Sequence, residues 1–226
     1  MFCATPEIPA MSAESTDSQP LWREPKQERS RVRVERMLAA ARDLLAERGL
    51  EGLTMDGVAQ GAGVPIGSLY QFFPDRNALL ACLFSQFLQL SDALVEDRFR
   101  AVDSAARLEA VAEGLPESLY QAVAGDPALV EIYSAIQAIR ALRHLDTEDS
   151  RRMASVLFEA ARPLAPHSVD DERLSRVCFL VCDLLGNAIR TALKEGGRDG
   201  ELLVQEYAAM AKNHLLSVLA GGPDRV

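Results

Sequence analysis

Apolar positions recur at helical spacing along most of the chain, and they predict an all-α fold of about nine helices. The first helix, expected over about residues 30–48, has one buried face, and Gly49 is expected to end it. No two segments combine an alternating pattern with the turn residues of a β-hairpin. The apolar positions of this first helix are Val34, Met37, Leu38, Ala41, Leu44 and Leu45.

Capping residues, glycines and prolines predict where the later helices begin and end. Gly114 and Pro116 are expected to break or kink the helical pattern between residues 104 and 125. Ser168, followed by Asp171 three residues later, resembles a capping box. The other helices predicted after the first run over about 54–61, 65–72, 75–100, 127–145, 147–162, 168–194 and 199–219.

Residues 54–72 have the pattern of two short helices joined by a tight turn. Thr54 is a good N-cap for the first, and Gly61 and Gly63 permit the turn that precedes Pro65. A helix that reads a DNA groove must be short, exposed on one side and held by a preceding helix. The side chains expected to face the core are Val58, Ala59, Val64, Leu69 and Phe72, and those expected to stay partly free are Ile66, Ser68, Tyr70 and Gln71.

This sequence resembles the N-terminal domain of TetR-type transcriptional regulators in two runs, RMLAAARDLLAERG and LTMDGVAQGAGVPIGSLYQFFPDRNALL. The match covers about residues 30–83. It includes the Thr that opens the second helix, the Ala-Gly-Val turn, the Gly-Ser-Leu-Tyr-x-x-Phe third helix and an acid–basic pair that opens the fourth. Beyond residue 83 the likeness is one of architecture.

The resemblance implies a homodimer that binds a palindromic operator in double-stranded DNA and releases it when a small molecule enters the C-terminal domain. Carried over by position, Thr54 and Tyr70 are expected to contact phosphates, and Arg76 is expected to meet the DNA backbone as well. Ser68 and Gln71 are expected to reach base edges, with adenine as the natural partner of Gln71.

Two residues depart from the family pattern. Pro65 replaces a frequent Ser, and Ile66 stands where Lys or Arg is common, so Ile66 is expected to contact a thymine methyl rather than a guanine. Upstream, Arg29, Arg31 and Arg33 are expected to lie along the DNA backbone or to enter the minor groove.

Alternative interpretations of this region remain. Tyr70, Phe72 and Phe73 would all be core residues in one of them; we expect this for Phe72 and a surface position for Tyr70. The glycines of the segment also suggest a nucleotide-binding loop, but their spacing is wrong and no strand precedes them.

The net charge of −9 argues against a nucleic-acid partner, but the distribution of the charges along the chain reverses this argument. Residues 26–42 hold six basic and two acidic residues, whereas residues 77–226 hold 15 basic and 22 acidic ones, a balance of −7. A basic segment on an acidic body can meet phosphates locally. A solvated helix face is the alternative interpretation of the same charges.

Two apolar helix faces near the end of the chain are expected to pack against their copies in a second subunit. The alternative is that they close the core of the protomer. The residues of this predicted dimer interface are Val177, Val181, Leu184, Leu185, Ala188, Leu203, Tyr207 and Met210.

Polar residues that interrupt otherwise apolar helices predict a small-molecule site in the C-terminal half. Aromatic residues nearby are candidate walls, although plain core packing and structural pairing of Arg140 with Asp183 are open alternatives. The predicted ligand-binding residues are Tyr120, Tyr133, Gln137, Arg140, Phe158, Asp183 and Asn187.

Catalytic, metal and cofactor sites are not expected. The three histidines form no recognisable triad or zinc-binding pair. Cys178 and Cys182 lie one helical turn apart, and we interpret them as small buried apolar residues rather than metal ligands. The functional alternatives are a DNA-binding protein that responds to no ligand and an enzyme in the C-terminal half.

The chain is expected to divide into a disordered tail (1–24), a helix-turn-helix domain (25–74) and a domain for ligand binding and dimerisation (75–226). Met11 is an alternative start. No membrane span is expected, since Asp183 and Asn187 interrupt the nearest apolar stretch, 177–189, and we expect a cytoplasmic protein.

Overall fold

The computed structural model describes residues 21–23, 25 and 27–221. Within them it contains helices and no strand, which confirms the all-α prediction. Most of the predicted tail, including Met11, lies outside the described residues. The nine helices of the described part are α1 (Glu28–Gly52), α2 (Met55–Ala62), α3 (Ile66–Phe72), α4 (Arg76–Arg100), α5 (Ala105–Ala124), α6 (Pro127–Ala135), α7 (Arg140–Ala161), α8 (Asp171–Glu195) and α9 (Gly197–Leu219), with a 3₁₀ turn at Arg162–Leu164.

The chain folds into two compact units. The first consists of Met1–Leu90 and Asp126–Leu145, and the second of Ser91–Gly125 and Asp146–Val226. These limits follow packing, whereas the sequence boundary at residue 74 follows the motif. Helix α6 accordingly belongs with α1 to α3, although it follows them by more than fifty residues.

Two polar contacts tie α6 to α1 in the first unit. The Arg42 guanidinium pairs with the carboxylate of Asp126. The Leu50 N–H donates to Glu131 Oε2 at 2.8 Å. Regular α1 geometry is interrupted at Gly49, where φ is 65°, and a last turn follows. Glu131 therefore accepts a hydrogen bond from the backbone N–H that follows the interruption of α1 at Gly49.

Helix α5 is continuous, so Pro116 does not break it; the alternative that Gly114 and Pro116 kink the helix stays a prediction. The helix is continuous from Ala105 to Ala124, with Pro116 in its interior. Proline removes one backbone hydrogen bond, but Pro116 is buried together with Leu115 and Leu119. The burial of these three side chains stabilises the helix despite the missing backbone hydrogen bond.

The segment predicted as helices 127–145 and 147–162 breaks earlier than expected. Helix α6 ends at Ala135, a turn spans 136–139, and α7 starts at Arg140 and continues through Thr147. Ile136 and Leu142 are both fully buried. At about 100° per residue, one straight helix would place them about 120° apart around its axis. The turn allows both to face the core.

The start of α8 also differs from the prediction. Its N-cap is Asp170 rather than Ser168, since the Arg173 N–H donates to Asp170 Oδ2 at 2.9 Å. Ser168 is exposed in the preceding turn. Both serine and aspartate are good N-caps, so the pattern alone did not choose between them.

Helix α4 is the one helix of the described part that is long and apolar enough to cross a membrane by length and composition. Of its most apolar window, 67% is buried inside the protein. That degree of burial is typical of a core helix, and the sequence analysis had considered only 177–189 as a candidate.

A close crossing organises the second unit, where α8 and α5 pack on α9. A Cβ added at Gly200 would lie 2.4 Å from the Ala192 carbonyl oxygen and 2.8 Å from Tyr120 Oη. No side chain fits at those distances, so Gly200 permits the approach of α9 to both neighbours. On the same helix, the Tyr207 hydroxyl donates to the Val181 carbonyl.

We predict that Gly200→Ala lowers the free energy of unfolding by about 1–3 kcal/mol, because an overpacked methyl group forces the helices apart. Chemical denaturation monitored by circular dichroism measures this. Gly114→Ala is the matched control in α5, where the nearest atom to an added Cβ lies 3.9 Å away. The free energy of unfolding of this control is expected to rise by about 0.5–1 kcal/mol. Equal effects of the two substitutions would contradict the close crossing at Gly200.

Candidate nucleic-acid interface

Helices α2 and α3 have the boundaries that their capping residues predict. Thr54 Oγ1 accepts a hydrogen bond from the Gly57 N–H at 3.1 Å, and Gly63 adopts the left-handed conformation (φ 62°, ψ 42°) that ends α2. Pro65 lies one position earlier than expected, as the N-cap of α3. These groups set the turn between the two helices.

Arg36 of α1 holds this turn in place. Its guanidinium donates to the carbonyl oxygen of Ala62, the last residue of α2. A cation at a helix C-terminus also interacts favourably with the helix dipole. The sequence analysis counted Arg36 only as one of several basic residues, because nothing in the local pattern identifies its distant partner.

The short helix α3 has one buried and one exposed side. Leu69 is 0% exposed and Phe73, directly after the helix, is also 0% exposed. Tyr70, by contrast, is 52% exposed, and Gln71 is exposed beside it. The surface position expected for Tyr70 is confirmed, while the core aromatic is Phe73, and Phe72 is only half-buried.

The N-terminal end of α3 presents the departures from the family pattern. Pro65 is exposed, Ile66 is 37% exposed and Ser68 is half-buried. At Gly67 an added Cβ would meet nothing within 4 Å. This end of the helix is therefore narrow and partly apolar.

The expected phosphate contacts flank this helix. Thr54 is exposed at the start of α2, and Arg76 is exposed at the start of α4. Asp75, which precedes Arg76, accepts a hydrogen bond from the Ala78 N–H at 2.9 Å and so caps α4 as predicted.

The three upstream arginines do not share one face of α1. All are exposed, but Arg29 and Arg33 are four residues apart and align, whereas Arg31 lies between them on another side. Arg31 also pairs loosely with Glu28 at 3.7 Å in solvent. The structure thus separates a set that the sequence analysis grouped together.

Residues 21–23 correct the prediction of a disordered tail over 1–24. Trp22 is only 4% exposed, and the Arg23 N–H donates to the Phe72 carbonyl at 2.9 Å. Apolar residues were judged too few there to hold structure, but one indole buries a large apolar area. The segment therefore lies against the end of α3.

The second unit contains a half-buried group of charges that the sequence analysis did not find. Arg152 bridges two carboxylates, with Nε 2.9 Å from Asp92 Oδ2 and Nη2 2.6 Å from Asp149 Oδ1. Nearby, Arg190 Nη1 lies 3.0 Å from Asp146 Oδ2. The partners come from distant parts of the chain, so no spacing in the sequence indicates them.

Burial dominates the electrostatics of this group. Desolvation raises the pKa of the Asp149 carboxyl to about 7, the charges of Asp92 and Asp146 add to the shift, and Arg152 opposes it. Desolvation likewise raises the pKa values of Asp92 and Asp146 above their ordinary range. Asp183 contributes a further negative charge that raises the pKa of Asp146.

The predicted ligand-binding residues are divided between the two units. Tyr133, Gln137 and Arg140 belong to the first unit. There Tyr133 packs edge-on against Phe84 and Phe87, at centroid distances of 5.8 and 5.9 Å, while Gln137 and Arg140 are exposed.

The other four belong to the second unit. Tyr120 is buried, Phe158 and Asp183 are half-buried, and Asn187 is exposed. The Asn187 side chain accepts a hydrogen bond from Arg190 at 2.9 Å and donates to the Asp183 carbonyl at 3.1 Å. Arg190 also pairs with Asp146, so it joins the Asn187 amide to a carboxylate of the second unit.

The predicted dimer-interface residues fall into buried and exposed sets. Val177 and Leu185 are buried within the protomer, and Val181, Ala188 and Tyr207 are half-buried. Exposed apolar side chains remain on α8 and α9, and Met210 has an exposed fraction of 71%. The large exposed apolar residues of these two helices are Leu180, Leu184, Leu202, Leu203 and Met210.

Cys178 and Cys182 are buried, as expected for small apolar residues. Desolvation raises the pKa of the Cys178 thiol to about 12 and that of Cys182 further still, so both are thiols at neutral pH. Within the described residues no group of three or more His, Cys, Asp or Glu side chains is placed to hold a metal ion.

Comparisons with known proteins cover both units. Residues 37–83 match the family model described as bacterial regulatory proteins, tetR family, and residues 106–219 match the one described as tetracyclin repressor-like, C-terminal domain. The HTH-type transcriptional regulator AlkX of Mycobacterium tuberculosis is 31% identical over 163 residues, which is 71% of this chain and 74% of that protein.

Solved structures with the same fold include FadR and RolR. FadR of Bacillus halodurans, described as a fatty acid degradation regulator, has a TM-score of 0.61 at 15% identity and covers 84% of this chain and 97% of its own. RolR in complex with resorcinol has a TM-score of 0.58 at 22% identity and covers 87% and 95%. At these identities the likeness shows the fold alone.

We predict that the free energy of unfolding falls between about pH 4 and pH 7, in part because of Asp149. Below its ordinary pKa of 3.8 the carboxyl is protonated in both states. Between 3.8 and about 7 only the unfolded chain loses the proton, so stability declines as the pH rises.

Asp149→Asn is expected to reduce the loss of unfolding free energy over this pH range by up to about 4 kcal/mol, which corresponds to the full pKa shift of Asp149. Denaturation curves at a series of pH values measure the effect. Asp97→Asn, at an exposed position of α4, is the matched control for the loss of one carboxylate. An equal profile for Asp149→Asn and wild type would contradict the prediction.

Proposed function

Because this chain belongs to the TetR family of bacterial transcriptional regulators, we propose that it is a homodimeric repressor that a small molecule releases from a palindromic operator. The protein is a DNA-binding transcriptional regulator. The operator, the effector response and the dimer are the proposal, and each has its own support in the described residues.

The observation that carries the DNA-binding proposal is the two-sided character of α3. Leu69 is 0% exposed while Tyr70 is 52% exposed, so one side of a seven-residue helix is fixed and the other is free. A helix of this kind enters the major groove with its free side toward base edges. Gln71 has the amide geometry for adenine, and Ile66 offers an apolar contact to a thymine methyl.

Phosphate contacts are assigned to residues around this helix. Thr54 is exposed at the start of α2, Tyr70 on α3 and Arg76 at the start of α4, and Arg29 and Arg33 share one face of α1. Such contacts set register and orientation on the duplex and carry little sequence information. The acidic remainder of the chain, with a balance of −7 over residues 77–226, restricts DNA to this side by repulsion.

The exposed apolar side chains on α8 and α9 support a dimer through the second unit. Leu203 and Met210 are exposed seven residues apart on α9, and Leu184 is exposed on α8; exposed apolar side chains that form a patch mark interaction sites. A two-fold axis through it would double the DNA-reading helices and explain a palindromic operator. Sedimentation equilibrium of wild type and Leu184→Glu, which puts a charge into the patch, tests this assignment.

The effector proposal rests on the C-terminal domain. Residues 106–219 match a tetracyclin repressor-like C-terminal domain. FadR is named for fatty acid degradation and RolR was solved with resorcinol, so neighbours of one fold serve different ligands. For this chain we assign the ligand to the second unit, with Tyr120, Phe158 and Asp183 as candidate lining residues.

We predict that the full chain selects duplexes with an inverted repeat from a random-sequence library, with half-sites about 34 Å apart. Gln71→Ala should cost about 1–3 kcal/mol at one base position and relax the preference there. Tyr70→Phe should weaken binding to all duplexes alike, because it removes a phosphate contact. Gel-shift titration measures both.

The control for Gln71→Ala is Gln121→Ala, at an exposed position of α5 in the second unit. It should leave affinity and preference unchanged. Strongly salt-dependent binding with no preferred sequence would instead indicate a non-specific DNA-binding protein.

We predict that a small molecule which stabilises the protein also lowers its affinity for the selected duplex. At 100 times its dissociation constant, a ligand raises the free energy of unfolding by about 2.7 kcal/mol. Thermal shift with resorcinol and a long-chain fatty acid as first probes identifies ligands, and gel shifts at saturation measure release. A stabilising ligand that leaves the duplex bound as tightly as before would rule out the release mechanism.

A further inference from the structure

The chain before α1 contains a buried side chain, and a backbone hydrogen bond joins it to the end of α3. Trp22 is 4% exposed, and the neighbouring residues Leu21 and Pro25 are half-buried and buried. The Arg23 N–H donates to the Phe72 carbonyl at 2.9 Å. We call residues 21–23 the N-terminal strap.

The backbone bond of the strap acts at a sensitive place. The last carbonyls of any α-helix lack partners within the helix, and Phe72 is the last residue of α3. The N–H of Arg23 satisfies one of these carbonyls from outside the helix. The strap therefore positions the C-terminal end of α3 and is positioned by it.

The anchor works through the apolar ring of Trp22. Its Nε1 atom is buried and has no hydrogen-bond partner within the described part of the chain. The indole N–H thus contributes no hydrogen bond within the described residues, whereas the ring contributes a large buried apolar area. A phenyl ring in its place would retain the anchor, and a methyl group would not.

The strap brings a cation to the edge of the proposed interface. The Arg23 side chain is exposed, as is that of Arg76 at the start of α4. Arg76 follows Phe72 by four residues, a chain length of at most about 14 Å. Two guanidinium groups therefore leave the chain near the end of α3 that also carries Tyr70 and Gln71.

We propose that the N-terminal strap is a second DNA-contacting element, in which Trp22 anchors the segment and Arg23 binds a backbone phosphate beside the one assigned to Arg76. This inference rests on the proposed DNA-binding function. Trp22 is a positioning residue, while Arg23 touches the nucleic acid. The contact is electrostatic, so it adds affinity for every duplex and no sequence preference.

The test measures how binding depends on salt. The probes are the duplex that wild type selects from a random library and an unrelated duplex of equal length. Arg23→Ala is expected to reduce the slope of log affinity against log salt by roughly 1 to 2, one phosphate for each subunit of a dimer. The loss should be similar on both duplexes, and Arg23→Lys should restore the slope.

Variants of the anchor separate positioning from contact. Trp22→Ala should lose the same increment of slope because the strap is released, whereas Trp22→Phe should retain it. Circular dichroism checks that Trp22→Ala is folded; if it is not, Arg23→Ala and Arg23→Lys still decide. Arg107→Ala, at an exposed position of α5, is the matched control for loss of one positive charge.

A readout that needs no DNA comes from fluorescence. Trp22 is the one tryptophan of the chain, so its emission and its protection from iodide report on strap docking. Arg23→Ala should leave the emission and the iodide protection of Trp22 unchanged. A loss of salt slope in this variant is then assigned to the missing guanidinium. An iodide-accessible Trp22 in wild type would overturn the anchor.

The possible failures can be told apart. A full wild-type slope for Arg23→Ala, on either duplex, overturns the strap contact and leaves the operator function intact. If wild type binds DNA without sequence preference, the operator function fails, while the slopes on the unrelated duplex still decide the strap. Absence of salt-dependent binding by wild type overturns both.

Discussion

The rest of the interface depends on the stabilisation of a helix that is too short to form alone. Helices of seven residues are unstable in water, since few hydrogen bonds offset the cost of nucleation. Helix α3 exists because Leu69 is buried beneath it, because Gly63 and Arg36 fix the turn before it, and because the Arg23 N–H meets its last carbonyl. These supports do not involve Tyr70 or Gln71, whose side chains remain exposed.

The two units use different means of stabilisation. In the first, charged side chains mostly satisfy backbone groups at helix ends, as Glu131 does for α1. In the second, Arg152 and Arg190 compensate carboxylates that burial has partly desolvated. Such a group is stable only while its partners stay in register. We therefore expect the packing of the second unit to respond to the protonation of Asp149.

Local chemistry determined how much of this structure was predictable. Thr54, Gly63 and Asp75 act through neighbours in the sequence, so the short helices of the interface and their exposed side were foreseen. The contacts of Arg36, Arg152 and Arg190 join residues far apart in the chain, and no spacing reveals them. The helix breaks after Ala135 although no glycine or proline stands there, and α5 continues although it contains a proline. In both cases tertiary burial outweighed local helix propensity.

Helix α6 belongs to the first unit, although both of its flanking segments, Ser91–Gly125 and Asp146–Val226, belong to the second. The polypeptide consequently passes between the units three times, within α4, at Gly125–Asp126 and within α7. A single cut after residue 74 would remove the carboxylates of Asp126 and Glu131 from α1. Exchange of one whole unit between homologues by recombination therefore requires three crossover points, one at each of these passages.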